Sequence, residues 1–280
     1  MQVFIDAATM NEKIAFIGGG NMASAIIGGL VRQGLAADRI AVLETNAEAR
    51  KRLQNTLGVG THEQAGDWLQ GCGIVIWAVK PQVFREAAAP VAPYTRGALH
   101  LSVAAGIPAD SICRWVGATR VVRTMPNTPA LIGMGVTGLY ARAEVTAQDR
   151  AHVEHIAQVM GSFVWVDRED LLNAVTALSG SGPAYVFYLL EAMTAAGVGM
   201  GLTSEQAYRL GVETFRGASE LARRSDESAE VLRERVTSKG GTTYAALTRM
   251  DAEGIKARFG QALQAAEQRS RELGAEFGKD

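Results

Sequence analysis

Cysteine and histidine are scarce in this sequence. Its 280 residues include two cysteines, Cys72 and Cys113, which lie far apart and form no CxxC pair. Two such thiols cannot build a disulfide framework, so we expect inert thiols and a reduced, cytoplasmic setting. His152 and His155 share a predicted helix face without a set of Cys or carboxylate ligands nearby. We therefore interpret them as solvated side chains and expect no metal site.

An excess of charge of either sign is also missing. The sequence has 28 Lys and Arg against 29 Asp and Glu, and this balance favours neither a nucleic acid nor an anionic membrane as a partner. The first residues, MQVFIDAATMNEK, lack a basic segment followed by a long apolar run, so we do not expect a secretory signal. We treat residues 1–11 as an N-terminal extension, with Met10 as an alternative start.

Long apolar runs are limited to residues 184–202, which carry a single charge and are about long enough to cross a bilayer. Glu191 lies near the middle of this run, glycines loosen its end, and no basic cluster flanks it. A helix that is apolar on all sides is also typical of a buried bundle or an intertwined dimer core. We favour the dimer core and expect no membrane partner.

Glycine, in contrast, is abundant, and it separates short apolar runs in the first half of the chain. We predict strands at 13–17, 39–43, 73–79, 98–104 and 120–124, with helices at 21–32, 47–57, 83–90 and 108–116 between them. Later strands are expected at 136–141 and 163–166, around a helix at 146–160. This alternation predicts a Rossmann-like, doubly wound parallel sheet, and hence an α/β protein.

The pattern changes from about residue 171 onward, where no strand candidate remains. Apolar residues at three- and four-residue intervals predict a helix after Thr203, its expected N-cap, and another helix from Gly254 to about Leu273. The predicted organisation is an extension at 1–11, a dinucleotide-binding domain at 12–167, and an all-helical substrate and dimerisation domain at 168–280.

A glycine-rich turn follows the first predicted strand and opens the first helix. The run Ile-Gly-Gly-Gly-Asn-Met-Ala fits the pattern G-x-G-x-x-A, with Gly18 at the tight turn and Gly20 where the backbone can approach a pyrophosphate. Asn21 and Met22 begin the helix, whose N-terminal N–H groups favour an anion. We predict dinucleotide binding at Gly18, Gly20, Asn21 and Met22. The alternative is a glycine-rich turn without a ligand.

The second predicted strand ends in Glu44, Thr45 and Asn46, about twenty residues further on. An acid at this position usually binds the ribose 2′-hydroxyl and disfavours a 2′-phosphate. Thr45 and Asn46, however, are good hydrogen-bonding partners for a phosphate and are predicted cofactor contacts. The cations at 50–52 favour a solvated helix face over a phosphate site. These residues do not decide between NADH and NADPH as the cofactor.

Small residues follow other predicted strands at the same edge of the sheet. Ala78, Val79, Lys80, Pro81 and Ala104 are predicted cofactor contacts, because open α/β sheets bind ligands at the carboxyl ends of their strands.

Prolines bracket a further loop at this edge, and its Asn127 is a predicted substrate contact. The alternative is that these residues only end strands and begin loops, without contacting a ligand.

Two further motifs lie in the helical half: SGSGPA at 179–184 and VTSKGGTT at 236–243. Together with FIGGGNM, AVKPQ, SVAAG and RTMPNTPAL, in this order across about residues 13–273, they resemble pyrroline-5-carboxylate reductase. The resemblance implies reduction of 1-pyrroline-5-carboxylate to L-proline by hydride transfer, the last step of proline biosynthesis. It also implies NADPH as cofactor, with NADH possible, and a homodimer built by the helical domain and often assembled further.

The same resemblance assigns the substrate loop to residues 238–243, with Ser238 and Thr243 as catalytic candidates. Backbone N–H groups of Gly240, Gly241, Thr242 and Thr243 at a helix start would also suit a carboxylate on chemical grounds. The family commonly has Pro where this chain has Lys at 239, so the loop loses a rigid residue and gains a cation. The alternative is a capped helix start without a ligand.

Two rival functions are weighed against this one. A β-hydroxyacid dehydrogenase places a similar small-residue turn before a long helix but has a catalytic Lys one turn into it, and residues 183–191 contain no Lys. A dinucleotide-sensing protein without turnover would not need the loop at 240–243.

Overall fold

The computed structural model describes residues 12–279. The predicted N-terminal extension at 1–11 lies outside the described residues.

Eight strands form one sheet in the order β3-β2-β1-β4-β5-β6-β7-β8 within the described part of the chain. They are Lys13–Ile17 (β1), Ile40–Leu43 (β2), Gly60–His62 (β3), Cys72–Trp77 (β4), Leu99–Ser102 (β5), Val121–Met125 (β6), Gly135–Ala141 (β7) and Gly161–Trp165 (β8). Neighbouring strands are parallel except for β6 and β7, which are antiparallel.

The predicted parallel sheet is therefore confirmed from β1 to β6 and needs correction at β7. A short 3-10 turn, Thr128–Ile132, returns the chain beside β6, and so short a connection cannot make the crossover that a parallel pair requires. Strand β3 was not predicted. Its three residues are exposed or half-buried at the sheet edge and form no apolar run.

Eleven α-helices accompany the sheet in residues 12–279. They are Asn21–Arg32 (α1), Ala47–Leu57 (α2), Phe84–Thr95 (α3), Ala109–Val116 (α4), Ala147–Gln158 (α5), Leu171–Val175 (α6), Gly182–Gly199 (α7), Ser204–Arg224 (α8), Ala229–Arg235 (α9), Thr242–Ala252 (α10) and Ile255–Phe277 (α11). Thr203 caps α8 with its side chain, as predicted.

One helix runs past its predicted end. We expected the helix after β4 to stop at residue 90, but α3 continues to Thr95 with Pro90 and Pro93 inside it. The buried face of this helix, which includes Phe84 and Val91, is held against the sheet, and this packing offsets the lost backbone hydrogen bonds.

Alternate residues of the central strands belong to two hydrophobic cores, one on each face of the sheet. Phe16 and Ile76 belong to the core that includes residues of α1 and α5, whereas Ile17 and Trp77 belong to the core that includes residues of α3 and α4. This arrangement confirms the doubly wound architecture.

The interpretation of two histidines as solvated is wrong. His152 and His155 lie on α5 and are only 8% and 6% exposed, because α5 packs that side against the core.

The chain divides into two compact units that differ from the predicted division after residue 167. The first unit consists of two segments, one up to Ser181 and one from Ala266 onward. The second unit is Gly182–Ala265. Helix α6 belongs to the first unit because Val175 packs over Gly138 of β7. The end of α11 belongs there as well, because the Ser270 hydroxyl donates to the side-chain oxygen of Asn173 at 2.8 Å.

The second unit is entirely helical, as predicted. Helices α7 and α8 pack closely at glycines, since an added Cβ on Gly197 would lie 2.7 Å from the Cβ of Ala207. Across residues 12–279, no helix combines the length and the apolar composition needed to cross a bilayer.

Candidate active site

The two helix starts that belong to the predicted sites have a glycine N-cap, which offers no side chain to cap them. Gly20 precedes α1, and Gly241 precedes α10. By contrast, α2, α5, α8 and α9 begin at Asn46, Thr146, Thr203 and Ser228, whose side-chain oxygens accept a hydrogen bond from the first turn. The first-turn N–H groups of α1 and α10 are therefore available to a ligand anion, as both predicted sites require.

The turn before α1 fits only glycine at its first position. Gly18 has φ +97°, and an added Cβ would lie 2.6 Å from the carbonyl oxygen of Ala78. Its N–H donates to the Leu43 carbonyl at 2.8 Å, so the turn is fastened to β2 as well. An added Cβ on Gly20, in contrast, would meet nothing within 4 Å. The turn therefore leaves open space in front of the N-terminus of α1.

Residues of the first helical turn flank that space. Asn21 is exposed and Met22 is half-buried against the core. The structure thus places all four predicted phosphate-loop residues at the switch point between β1 and β4, where ligands of doubly wound folds bind.

The Glu44 carboxylate binds the backbone on both sides of this corner. One oxygen accepts the Gly19 N–H and the other accepts the Asn46 N–H, each at 2.8 Å. Glu44 is thus a fixed negative charge that joins the phosphate loop to the turn after β2. Each oxygen keeps a second lone pair, so it can still accept a ribose hydroxyl.

The two predicted neighbours of Glu44 are both exposed. The Asn46 side-chain oxygen accepts the Ala49 N–H at 2.9 Å and so caps α2, which leaves its NH₂ group for a ligand. The exposed Thr45 lies between Glu44 and Asn46 in the sequence.

Arg50 is a residue that the sequence reasoning missed. We interpreted residues 50–52 as a solvated face, but the Arg50 guanidinium donates to the carbonyl oxygens of Glu44 and Thr45, both at 2.8 Å. It also pairs with Glu63 at 3.0 Å. Arg50 therefore braces the turn after β2, whereas Lys51 and Arg52 are exposed as expected. An arginine one turn after an N-cap is the only signal that could have indicated this role.

The predicted contacts after β4 and β5 lie at the same carboxyl edge. Ala78 donates its N–H to the Ile17 carbonyl at 2.8 Å, and Val79 and exposed Lys80 follow it. Pro81 opens a 3-10 turn. Ala104 is buried, 6% exposed, just beyond the end of β5.

The side chain of Asn127, a predicted substrate contact, is already bonded to backbone. Its oxygen accepts the Val136 N–H at 3.0 Å, and its NH₂ group donates to the Ser179 carbonyl at 3.2 Å. Asn127 therefore ties the loop after β6 to β7 and to the turn that precedes α7. One N–H of the amide remains for a ligand.

The loop before α10 is exposed and supports most of the predicted anion cradle. Ser238, Thr242 and Thr243 are exposed, and Gly240 and Gly241 complete the turn.

One member of the predicted cradle needs correction. The Gly241 N–H donates to the Ser238 carbonyl at 3.0 Å and so closes the turn. The N–H groups that α10 offers to an anion therefore begin at Thr242.

Metal ligands do not cluster in the described residues: no group of three or more His, Cys, Asp or Glu side chains could hold an ion there. Burial raises the pKa of both the Cys72 and the Cys113 thiols, which disfavours the reactive thiolate.

A doubly wound sheet with an open helix start at its switch point, followed by a helical unit, defines a two-domain dinucleotide-dependent oxidoreductase. Residues 13–106 match the family model described as NADP oxidoreductase, coenzyme F420-dependent. Residues 169–273 match the model for pyrroline-5-carboxylate reductase dimerisation. With two relatives of this name 40% and 43% identical along nearly the whole chain, the protein belongs to the pyrroline-5-carboxylate reductase family.

The similarity covers both units. The chain is 43% identical to the pyrroline-5-carboxylate reductase of Pseudomonas aeruginosa over 269 residues, 95% of this chain and 98% of the relative. A reductase structure from Coxiella burnetii has a TM-score of 0.89 at 35% identity and covers 96% of this chain and 99% of its own. The Plasmodium falciparum pyrroline carboxylate reductase with NADP bound has a TM-score of 0.83 at 27% identity, with 94% and 98% covered.

Proposed function

We propose that this chain reduces 1-pyrroline-5-carboxylate to L-proline, with NADPH as preferred reductant and NADH accepted. The observation that carries the proposal is the near full-length identity to pyrroline-5-carboxylate reductases, combined with two helix starts left open by glycine. The relative with NADP bound and the NADP oxidoreductase match support the choice of cofactor. When bound, the reduced nicotinamide supplies the hydride that adds to the imine carbon, and a proton adds to nitrogen.

The first unit fits such a dinucleotide. Its pyrophosphate would be held by the turn at Gly18 and Gly20 and by the N–H groups of Asn21 and Met22, because a helix start favours anions. The adenosine half would lie beside Thr45, Asn46 and Glu44. The nicotinamide half would lie against Ala78–Pro81 and Ala104, where the small side chains of Ala78 and Ala104 admit a flat ring.

The second unit offers the groups that a carboxylated imine needs. The N–H groups from Thr242 onward would hold the carboxylate, and Gly240 and Gly241 let the ligand approach the backbone. We assign to the Thr243 hydroxyl a hydrogen bond to the imine substrate, with Ser238 as a second donor. Lys239 adds a positive charge that favours the same carboxylate.

We also propose a homodimer in the cytoplasm, formed through the helical region that matches the dimerisation model. Large apolar side chains of α7 are exposed in the single chain, including Phe187 at 60% and Tyr188 at 72%. Exposed apolar surface of this extent marks a protein interface. Contact with a second copy of the chain would bury this face and give the helical unit the hydrophobic core that it lacks alone.

The proposal is tested by following NADPH and NADH absorbance with 1-pyrroline-5-carboxylate and with the six-membered cyclic imine, and by identifying proline as product. Turnover should persist in EDTA. Activity that EDTA abolishes and zinc restores would contradict the mechanism. Tight dinucleotide binding without turnover would favour the sensing protein, and oxidation of β-hydroxyacids would favour the dehydrogenase.

The placement of the cofactor is tested by Gly20→Ala. Its Cβ enters open space, so the melting temperature should not change, but NADPH should bind more weakly. Unchanged NADPH affinity would move the pyrophosphate away from α1.

A further inference from the structure

The last turns of α11 form a fixed part of the first unit. We call residues 270–278 the C-terminal tail. The Ser270 hydroxyl donates to the side chain of Asn173 at 2.8 Å, and the Ser111 hydroxyl donates to the Gly278 carbonyl at 2.9 Å. Phe277 packs against the hydrophobic core that includes residues of α3 and α4. A hydrogen bond near each end and the packing of Phe277 therefore hold the tail against the first unit.

Between these anchors the tail lies directly on the loop 103–108, backbone against backbone. An added Cβ on Gly274 would lie 3.3 Å from the Gly106 carbonyl oxygen, and one on Gly278 would lie 2.8 Å from the ring of Pro108. Gly106 itself has φ +78°, a conformation that other residues rarely adopt, and an added Cβ there would lie 3.5 Å from Phe277. The fit depends on glycine on both sides.

Other contacts fix the loop on either side of Gly106, where Ala104 and Ile107 are buried in the hydrophobic core. At its start, Val103 donates its N–H to the Trp77 carbonyl at 3.1 Å. At its end, Ala109 donates its N–H to Glu169 at 2.6 Å, and Glu169 pairs with Arg123 at 2.6 Å.

A cavity of about 470 Å³ lies beside the loop, and its lining includes Gly106, Pro108, Arg123, Glu169, Arg271 and Gly274. The atoms nearest to an added Cβ on Gly106 all belong to residues 273–277, so the end of α11 supports the loop at this one residue between two core residues.

We propose that the C-terminal tail is a positioning element for the nicotinamide half of the cofactor site. This inference depends on the proposed function, because the loop 103–108 contains Ala104, which we assign to that half. The tail orders the glycine-containing loop during folding, so the ordering entropy is not lost again when the dinucleotide binds. Without the tail contact, the loop samples other conformations and binds the nicotinamide half more weakly.

The test compares two ligands on one variant. Gly278→Ala forces the tail away from Pro108. The matched control is Gly260→Ala, within the helix α11 that precedes Gly278, where the new Cβ has no atom within 4 Å. Calorimetry measures the Kd of NADPH and of 2′-phospho-ADP-ribose, which lacks the nicotinamide. We expect Gly278→Ala to raise the Kd of NADPH about tenfold, a change of ~1.4 kcal/mol. The Kd of 2′-phospho-ADP-ribose should stay unchanged, and the control should match wild type for both ligands.

Three results would overturn the proposal. Equal weakening of both ligands would show a general loss of structure, and unchanged binding of both with a lower melting temperature would show a purely structural tail. Wild-type protein that binds neither NADPH nor NADH would contradict the proposed function, and this inference with it. If Gly278→Ala does not fold, Ser111→Ala, which removes the hydrogen bond to the Gly278 carbonyl, should give the same selective loss on a smaller scale.

Discussion

The two units of this chain handle their apolar residues in opposite ways. The first unit covers both faces of its sheet, and Trp77, Phe16 and Phe84 are fully buried. In the second unit, Gly182–Ala265, only Leu190, Gly197, Ala207 and Gly211 are buried. A unit with so small a core cannot offset its loss of chain entropy alone. The first unit therefore buries its core within one chain, whereas the second needs another surface to cover its apolar side chains.

The largest effect is expected at the proposed dimer interface of the second unit. Phe187→Glu should raise the dissociation constant of the dimer by a hundred- to several thousandfold, because an unpaired buried charge costs about 3–5 kcal/mol. Light scattering over a dilution series measures it.

Val164→Glu is the matched change in the first unit, since Val164 is 55% exposed against 60% for Phe187. It should leave association unchanged. If the Phe187→Glu variant dimerised as tightly as wild type, the idea that only the second unit needs another surface would be contradicted.

Acid should act chiefly on the first unit, through His100. Buried between the Trp77 N–H at 3.0 Å and the Thr95 carbonyl at 2.9 Å, this imidazole is neutral, and its burial lowers its pKa to about 4. Because the folded-state pKa lies below the unfolded value, the contribution to stability is complete above pH 6.5. It is lost as pH falls toward 4, by up to about 3 kcal/mol.

Urea unfolding at pH 7 and pH 4.5 measures this loss. The His100→Asn variant, although less stable at pH 7, should lose less stability between the two pH values. An identical pH dependence in the variant would show that other groups carry the acid sensitivity.

The open helix start of the second unit should affect substrate more than cofactor. Thr243→Ala should lower kcat/KM roughly ten- to over a hundredfold, since a hydrogen bond to a charged group is worth about 1.5–3 kcal/mol. The Kd of NADPH should barely change, because the phosphates are assigned to the first unit.

Thr243→Ser keeps the hydroxyl and should keep most of the activity. A Thr243→Ala enzyme within twofold of wild type would make the start of α10 a helix terminus without a substrate role.

The smallest effect is expected at the corner of the first unit that Glu44 occupies. Its fixed charge would repel a 2′-phosphate, so Glu44→Gln should shift the ratio of the Kd values for NADPH and NADH in favour of NADPH, by about tenfold or ~1.4 kcal/mol. Glu63→Gln removes a nearby charge that pairs with Arg50 and serves as the control. If Glu44→Gln weakens both cofactors equally, Glu44 only braces the loop.

Much of the first unit could be predicted because local signals agree there. The bounds of β1, α1 and α2 were predicted to the residue, since short apolar runs and helical periodicity alternate with glycine turns. The antiparallel direction of β7 and the edge strand β3 were missed, because strand direction and edge pairing leave no periodic signal in the chain.

The candidate site shows the same limit. The glycine patterns at 18–20 and 240–241 indicated both open helix starts. They could not show that Glu44 binds Gly19 or that Arg50 braces the turn after β2, because these bonds join residues that meet only after folding.

The sequence by itself therefore determined the order of elements, the doubly wound plan, the helical second half and the motifs that place the chain in its family. Periodicity and glycine position are local properties, so they can be recognised in the sequence. Only the tertiary structure decided that His152 and His155 are buried, that the Asn127 amide is bonded to backbone, and that the end of α11 returns to Gly106. Those outcomes depend on which surfaces pack together, and packing joins residues that are distant along the chain.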